Sequence, residues 1–302
     1  MQEEIKIYMI KDGEHGTPVY RWCSPGENSR WGNIVSVDNM DEADYLVIVN
    51  TPLDIDYSSF PPEKILYFKW EPDEFFFVQH MWDNVHPSSH KFNTSDTGIL
   101  IKWHVNKTYD ELKNIGFPEK TKQLSWITTN QGDGTQSGVQ ILEGHVLRMN
   151  FMKKFLQRYP GVLDLYGRRL IKYGGYEIED KWDGLKDYRY AFTFENSEQK
   201  GYWTEKICDA ILSGCMPIYW GCPNLKDFLP KNSFIRLDLR KEDAVEKAIE
   251  IIHSDFREQH LDELKEAKNL ILDNWNVWPR LHRIVNEYHE IITTLHTVYS
   301  CT

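Results

Sequence analysis

The chain has 302 residues, 41% of them hydrophobic and 27% charged, with only 18 Gly and 13 Pro. That composition can bury a sizeable core and excludes a disordered, collagen-like or coiled-coil chain, and roughly 150 residues per domain predicts two domains. Acidic residues outnumber basic ones by 46 to 35, a net charge of −11, which leaves no basic footprint for nucleic acid or anionic lipid.

From the N-terminus, short runs rich in Ile, Val, Leu and aromatics predict buried strands at 5–10, 45–50, 64–68, 98–103 and 124–129. The clearest early helix is 109–115. Residues 129–144 concentrate Gly, Asn, Asp, Ser and Thr, a loop composition, and we place the domain boundary there, giving domains 1–144 and 145–302. Beyond it comes a helix at 145–159, stopped by Pro160-Gly161, then strands at 162–166 and 190–194. A helix at 204–213, strands at 216–220 and 234–239, a helix at 244–252 and two long amphipathic helices at 257–274 and 279–297 complete the chain. This βα alternation predicts a parallel sheet covered on both faces.

The five cysteines (Cys23, Cys208, Cys215, Cys222, Cys301) are odd in number and read as free buried thiols of a reducing compartment. The N-terminus has no signal-peptide pattern and no run reaches the roughly 18 apolar residues of a membrane span. A soluble, cytoplasmic protein is expected.

One stretch carries chemistry: YAFTFENSEQKGYWTEKICDAILSGCMPIYWGCP, residues 190–223. A buried strand delivers Glu195-Asn196-Ser197 to the sheet's carboxyl edge, where open α/β sheets bind ligands. Thr204-Glu205-Lys206 then opens a helix whose free N–H groups and positive dipole end suit a phosphate. Lys206 adds a point charge for a diphosphate, and Glu205 can accept from sugar hydroxyls. The plainer alternative is that Thr204 is only an N-cap and Glu205 a first-turn carboxylate complementing the dipole.

The ordered set FENS, Tyr202, TEK and PIYWG resembles the signature of the α-1,3-fucosyltransferases of glycosyltransferase family ten, in its soluble bacterial or viral form. LSWITTN, an Arg in the following helix and LYGRR resemble the same domain, whereas the first 120 residues match mainly in pattern. The resemblance implies a GT-B architecture, two Rossmann-like domains with the active site in the cleft between them, and GDP-fucose held by the C-terminal one. It places Lys206 on the diphosphate, Glu205 and Asn196 on ribose or fucose hydroxyls, and Tyr202 beside the nucleotide. It also implies an upstream Arg on the phosphates, for which Arg168, Arg169 and Arg148 are candidates. With Lys172 and Lys206 the arginine pair can form a local cationic island on an acidic protein.

The resemblance further implies inversion: GDP-β-L-fucose gives an α-linked product by direct displacement, and O3 of N-acetylglucosamine in an oligosaccharide or glycan is the expected acceptor. A general base must lie on the acceptor side. KILYFKWEPDE offers Glu71, Asp73 and Glu74 after a strand, and Glu71 is preferred, with Glu74 the alternative, because Trp70 and Phe75 can desolvate it. No metal or other cofactor is expected: Asp54-Ile55-Asp56 reads as a polar turn, and Pro87 argues against a helical His86–His90 pair. Trp82, Trp103 and Trp126 are either sugar platforms or core residues. Two other functions stay open, a transferase using another GDP-sugar and a catalytically silent carbohydrate-binding protein.

Overall fold

The computed structural model describes residues 3–94, 100–131 and 140–300. The first unit is a sheet of β1 (Ile5–Lys11), β2 (Glu14–His15), β3 (Arg30–Trp31), β4 (Ile34–Ser36), β5 (Tyr45–Val49), β6 (Ile65–Phe68) and β7 (His90–Phe92), with α1 (Phe76–Asp83) before β7. Their order is β3-β4-β1-β5-β6-β7, with β2 attached to β1, and β4, β1, β5, β6 and β7 run parallel. Side chains alternate as strand geometry requires. Ile7, Met9, Val47, Val49, Leu66 and Phe68 enter the main core, while Tyr8, Ile10, Leu46, Ile48 and Tyr67 form a second cluster on the opposite face. Burial on both faces explains why β5 reads YLVIV without a polar break.

The second sheet is wholly parallel and contains β8 (Lys122–Ile127), β9 (Asp164–Tyr166), β10 (Tyr188–Phe194), β11 (Met216–Trp220) and β12 (Ile235–Arg236), in the order β12-β11-β10-β8-β9. The expected division at 144/145 needs correction. β8 pairs with both β10 and β9, so the chain has already crossed to the second unit before Lys122. The polar run after β8 is a connection to the next helix within that unit, and residues 132–139 of it lie outside the described residues. The strand expected at 98–103 also differs: of its described part, only Ile101 makes a bridge, to Asn276, and residues 98 and 99 lie outside the described residues.

The remaining helices are α2 (Tyr109–Asn114), closed by a Thr108–Glu111 capping box, α3 (Glu143–Arg158), α4 (Glu205–Leu212), α5 (Ala244–Ile252), α6 (Phe256–Gln259), α7 (Leu261–Leu270) and α8 (Val277–Ser300). The helix expected over 257–274 is interrupted at His260 and ends in a π turn, Ile271–Trp275. Helix α8, expected to close the second domain, returns to the first. Trp278 Nε1 donates to Tyr20 O (2.9 Å), Asn276 Nδ2 to Cys23 O (2.7 Å), and Asn286 and Asn33 exchange side-chain bonds.

Two Rossmann-like units with their strand ends turned toward one cleft make the GT-B arrangement. Cys23, Cys208, Cys215 and Cys222 are free and buried. Among the described residues no helix is long and apolar enough to cross a membrane.

Candidate active site

In each sheet the chain leaves the second-placed strand on one side and continues on the other, which opens a crevice at the carboxyl ends. In the second sheet this switch lies between β8 and β10, and a cleft of about 530 Å³ sits there, lined by Thr128, Thr129, Gly167, Arg168, Asn196 and Lys206 among others. In the first sheet it lies between β1 and β5, which brings Lys11, Asp12, Asn50 and Thr51 to the facing edge, with Trp70 and Glu71 next to them after β6.

The second wall is built around Glu195. Its carboxylate is fully buried, accepts from Thr204 N and Thr204 Oγ1 (both 2.8 Å), and pairs with Lys206 Nζ at 3.2 Å. Lys206 Nζ also donates to Thr204 Oγ1 (3.0 Å) and Glu205 Oε1 (3.4 Å). Two glycines make this seat possible. A Cβ on Gly221, whose φ is +145°, would stand 2.5 Å from Glu195 Cγ, and one on Gly144 would stand 2.5 Å from Glu195 O. Gly144 N donates to Asn196 O (3.0 Å), clamping the start of α3 onto the FENS turn. Glu195 thus positions the start of α4 and has no free face for a ligand, contrary to the expected contact with the donor. Thr204 is the N-cap of α4 and 4% exposed, which is the plainer of its two sequence readings.

The groups that do face the cleft are Arg148, Arg168, Asn196, Glu205 and Lys206, together with Lys181 and His104. Burial acts against charge on Lys206, but Glu195 and Glu205 outweigh it and hold the ammonium protonated above its ordinary range. Burial would likewise raise Glu205, yet Lys206, Lys181, His104 and Lys102 keep it well below the usual carboxylate range. Arg148 donates to Phe194 O (3.1 Å), its Nε has no partner among the described residues, and burial lowers its pKa to about 10. Burial beside Arg148 and Lys206 lowers His145 to about 3, so this imidazole is neutral.

Of the three arginine candidates, Arg148 and Arg168 line the cleft. Arg169 sits next to it in a left-handed conformation (φ +63°), exposed and outside that lining; Lys172 is exposed on the following turn. Ser197 is buried, and Tyr202, expected at the nucleotide's border, is 2% exposed and also outside the lining. Burial and the charges of Glu71, Glu195 and Glu205 raise the Tyr202 phenol well above its ordinary value. The ring is therefore interior and does not line the cleft.

The first wall presents Glu71. Burial pushes its pKa up to about 7, opposed by Lys206 across the cleft and reinforced by Glu205, Asp12 and Glu195. Glu74 is exposed, and its carbonyl accepts from Gln140 Nε2 (2.6 Å). Asp73 N donates to Gln199 Oε1 (2.6 Å), which fastens the turn after Glu71 to the second wall. Trp103 and Trp126 are core residues, at 0% and 1% exposure, and Trp82 packs partly buried against Tyr67. Asp54 and Asp56 occupy an exposed turn in which Asp56 Oδ1 accepts from Ser58 N. His86 lies in a loop and His90 on β7. Among the described residues no group of three His, Cys, Asp or Glu side chains is placed to hold a metal ion.

Three cleft residues escape a reading of the sequence. Lys181 Nζ pairs with Asp209 Oδ2 (3.0 Å), and Asp209 Oδ1 accepts from His104 N (2.7 Å). Asp209, four residues after Glu205 on α4, so ties the motif helix to the crossing between the units. Lys102 is the third. Asp209 and Lys102 are each a charge inside an apolar run, whereas Lys181 lies in the polar stretch EIEDKWDG and gives no such signal.

Residues 117–259 match the profile of "Glycosyltransferase family 10 (fucosyltransferase) C-term". A Helicobacter pylori α-(1,3)-fucosyltransferase is 29% identical over 196 residues, 64% of this chain and 40% of that protein. Residues 117–259 thus resemble the C-terminal part of the family 10 fucosyltransferases. An Arabidopsis thaliana α-(1,4)-fucosyltransferase is 35% identical over 65 residues, 20% of this chain and 16% of the relative. The chain thus spans well under two thirds of these curated relatives. A crystal structure of an α1,3-fucosyltransferase with GDP-fucose aligns with 92% of the chain and 93% of its own length at 16% identity and a TM-score of 0.44.

Proposed function

We propose that this chain is an inverting fucosyltransferase that moves L-fucose from GDP-β-L-fucose to a glycan hydroxyl, O3 of N-acetylglucosamine being the expected site. The observation that carries the reading is the pair across the cleft: a carboxylate raised to about 7 on one wall, Glu71, facing the cationic start of a helix on the other, Lys206. A base near neutral pKa opposite an anion site is what direct displacement of a diphosphate requires.

In this reading Lys206, Arg148 and Arg168 take the diphosphate, and Asn196 and Glu205 take donor hydroxyls. Glu71 accepts the proton of the acceptor hydroxyl as its oxygen attacks the anomeric carbon from the face opposite GDP. The bond from that carbon to the phosphate oxygen breaks, and the charge gathered on GDP is met by the cations already in place. The working division between acceptor-side and donor-side chain falls at 115–121, between α2 and β8.

The test is incubation with GDP-fucose and N-acetyllactosamine, following GDP release and the anomeric signals of the product by NMR. An α-linked fucoside at O3 is expected. A β-linked product overturns inversion, faster turnover of GDP-mannose overturns the donor, and no GDP release with any of a panel of glycans overturns transfer.

A further inference from the structure

Glu71 lies on the short loop 69–75 between β6 and α1, half-buried, and its carboxylate makes no hydrogen bond or ion pair among the described residues. Its place is therefore set by the backbone that carries it. The first unit secures the two ends of that loop. Trp70 N donates to Asn50 Oδ1 (2.9 Å), and the buried Lys69 ammonium joins Asp73 Oδ1 (2.9 Å) to Gln79 Oε1 (2.7 Å).

The stretch between those ties is held from the other unit. Gln199 Oε1 accepts from Asp73 N (2.6 Å), while Gln140 Nε2 donates to Glu74 O (2.6 Å) and Gln140 Oε1 accepts from Phe76 N (2.9 Å). Phe76 N is the first N–H of α1, a group that no helix satisfies internally, and Phe75 at the N-cap has no side-chain oxygen to offer it. A glutamine of the second unit thus caps a helix of the first. Because one amide both donates and accepts, Gln140 grips the loop at two points, which fixes its orientation as well as its distance. Both glutamines belong to the donor wall. Gln199 follows Ser197 of FENS by two residues, and Gln140 leads into α3, whose Gly144 N is bonded to Asn196 O (3.0 Å).

We propose that Gln140 and Gln199 are positioning residues for the transfer, holding 73–76 of the first unit against the FENS turn so that Glu71 takes its working place only while the two walls are joined. The inference rests on the reading of Glu71 as the base. The charges that act on its carboxyl agree with it: Lys206, Glu205 and Glu195 stand on the second wall and Asp12 on the first. The Tyr202 phenol, also of the second unit, is raised in part by the Glu71 charge. Peeling the loop from the second wall returns that carboxyl to water and toward its ordinary range.

The variants are Gln140→Met, Gln199→Met and the two together, which keep the length of the side chain and remove the amide. Two readouts are taken on each. One is the Glu71 carboxyl titration by carbon-13 NMR, its signal assigned with Glu71→Gln; the other is kcat against pH with GDP-fucose and N-acetyllactosamine, beside GDP affinity by calorimetry. In the double variant the Glu71 titration, and the low-pH limb of kcat with it, should move from about 7 toward the ordinary carboxylate range. At pH 8 kcat should fall by up to roughly 100-fold, the cost of a reacting group about 1 Å out of place, with GDP affinity unchanged. Thermal melts show which variants fold, and the single variants carry the same test where the double one does not. An unmoved titration and kcat overturn the proposal, and so does a fall in kcat with the titration unmoved, the mark of general loosening. If the titration moves and kcat does not, it is the reading of Glu71 as the base that fails.

Discussion

The two walls of the cleft are finished to different degrees. On the second wall the Glu195 carboxylate, the Thr204 hydroxyl and the Lys206 ammonium all have intramolecular partners, two glycines leave room for that network, and behind it Arg148 Nε and His145 Nε2 are left unpartnered among the described residues. On the first wall Trp70 Nε1 and Tyr20 Oη have none among the described residues, and burial pushes the Glu71 pKa up to about 7. A preorganised network fixes geometry in advance, whereas unmatched buried donors cost stability. The match to family 10 covers 117–259, the finished wall, and leaves out the unfinished one. The recognisable wall is the one proposed to hold the donor, and the wall proposed to meet the acceptor lies outside the matched residues.

The sharpest way to break this contrast is Glu71→Gln. Donor affinity should stay and kcat fall by about 10²- to 10⁴-fold, the range of general-base catalysis, measured with GDP-fucose and the best glycan of the panel. Because Glu71 acts when ionised, kcat of the unmodified enzyme should rise as pH passes through about 7, and the variant should lack that limb. Stability runs the other way. The native carboxyl holds its proton up to about 7 while the unfolded chain releases it near the ordinary value, so native stability falls as pH rises between the two. Glu71→Gln removes that loss: its melting temperature should exceed that of the unmodified protein at pH 8 and approach it at pH 4. A nearly full kcat in the variant hands the base role to Glu74 or another group.

Lys206→Ala attacks the finished wall. GDP affinity should drop by roughly 10- to 100-fold, the loss of a charge-assisted contact of about 1.5–3 kcal/mol, with the acceptor wall intact. Unchanged GDP affinity by calorimetry removes the helix start from the donor site. Gly144→Ala tests the seat itself. A methyl group meeting the Glu195 and Asn196 carbonyls forces backbone movement worth about 1–3 kcal/mol, seen as a lower melting temperature together with weaker GDP binding. A variant as stable as the unmodified protein shows that the clamp is looser than its geometry. The smallest effect is expected at Asn286→Ala, which loses its exchange with Asn33 at about 0.5–1.5 kcal/mol; it should lower the melting temperature without moving GDP affinity, and a change in GDP affinity would show that α8 feeds into the donor wall.

How much was legible in the sequence follows the same division. β5, β6, β10, α4 and β11 lie within a residue or two of their expected spans, because strand and helix periods are local and these elements are buried along continuous apolar runs. Glu71, Arg148, Arg168, Asn196, Glu205 and Lys206 were all named from sequence, and the structure brings them to one cleft. Glu195, Thr204 and Tyr202 were also named, but a motif does not say which of its members face a ligand and which hold the others in place. Lys102 was missed because 98–103 reads as a buried strand. Its ammonium stands over the rings of Trp70 and Tyr20, 32 and 82 residues away in the chain. The boundary at 144 failed for a related reason, since a polar loop inside a βα unit and a linker between units have the same composition.

Among the described residues the chain passes to the second unit at 115–121 and returns at the π turn Ile271–Trp275, and the segment leading to the first pass is joined to the second: Ile101 bridges Asn276, and Val277 N donates to Ile101 O at 2.8 Å. Any change in the angle between the walls must be absorbed at that junction. Lys102 is the next residue along and His104, whose N–H is bonded to Asp209 of α4, lies two further on. The segment that carries Lys102 and His104 is thus tied at one end to the return pass and at the other to α4, so that the positions of these two residues and the join between the units are mechanically a single variable.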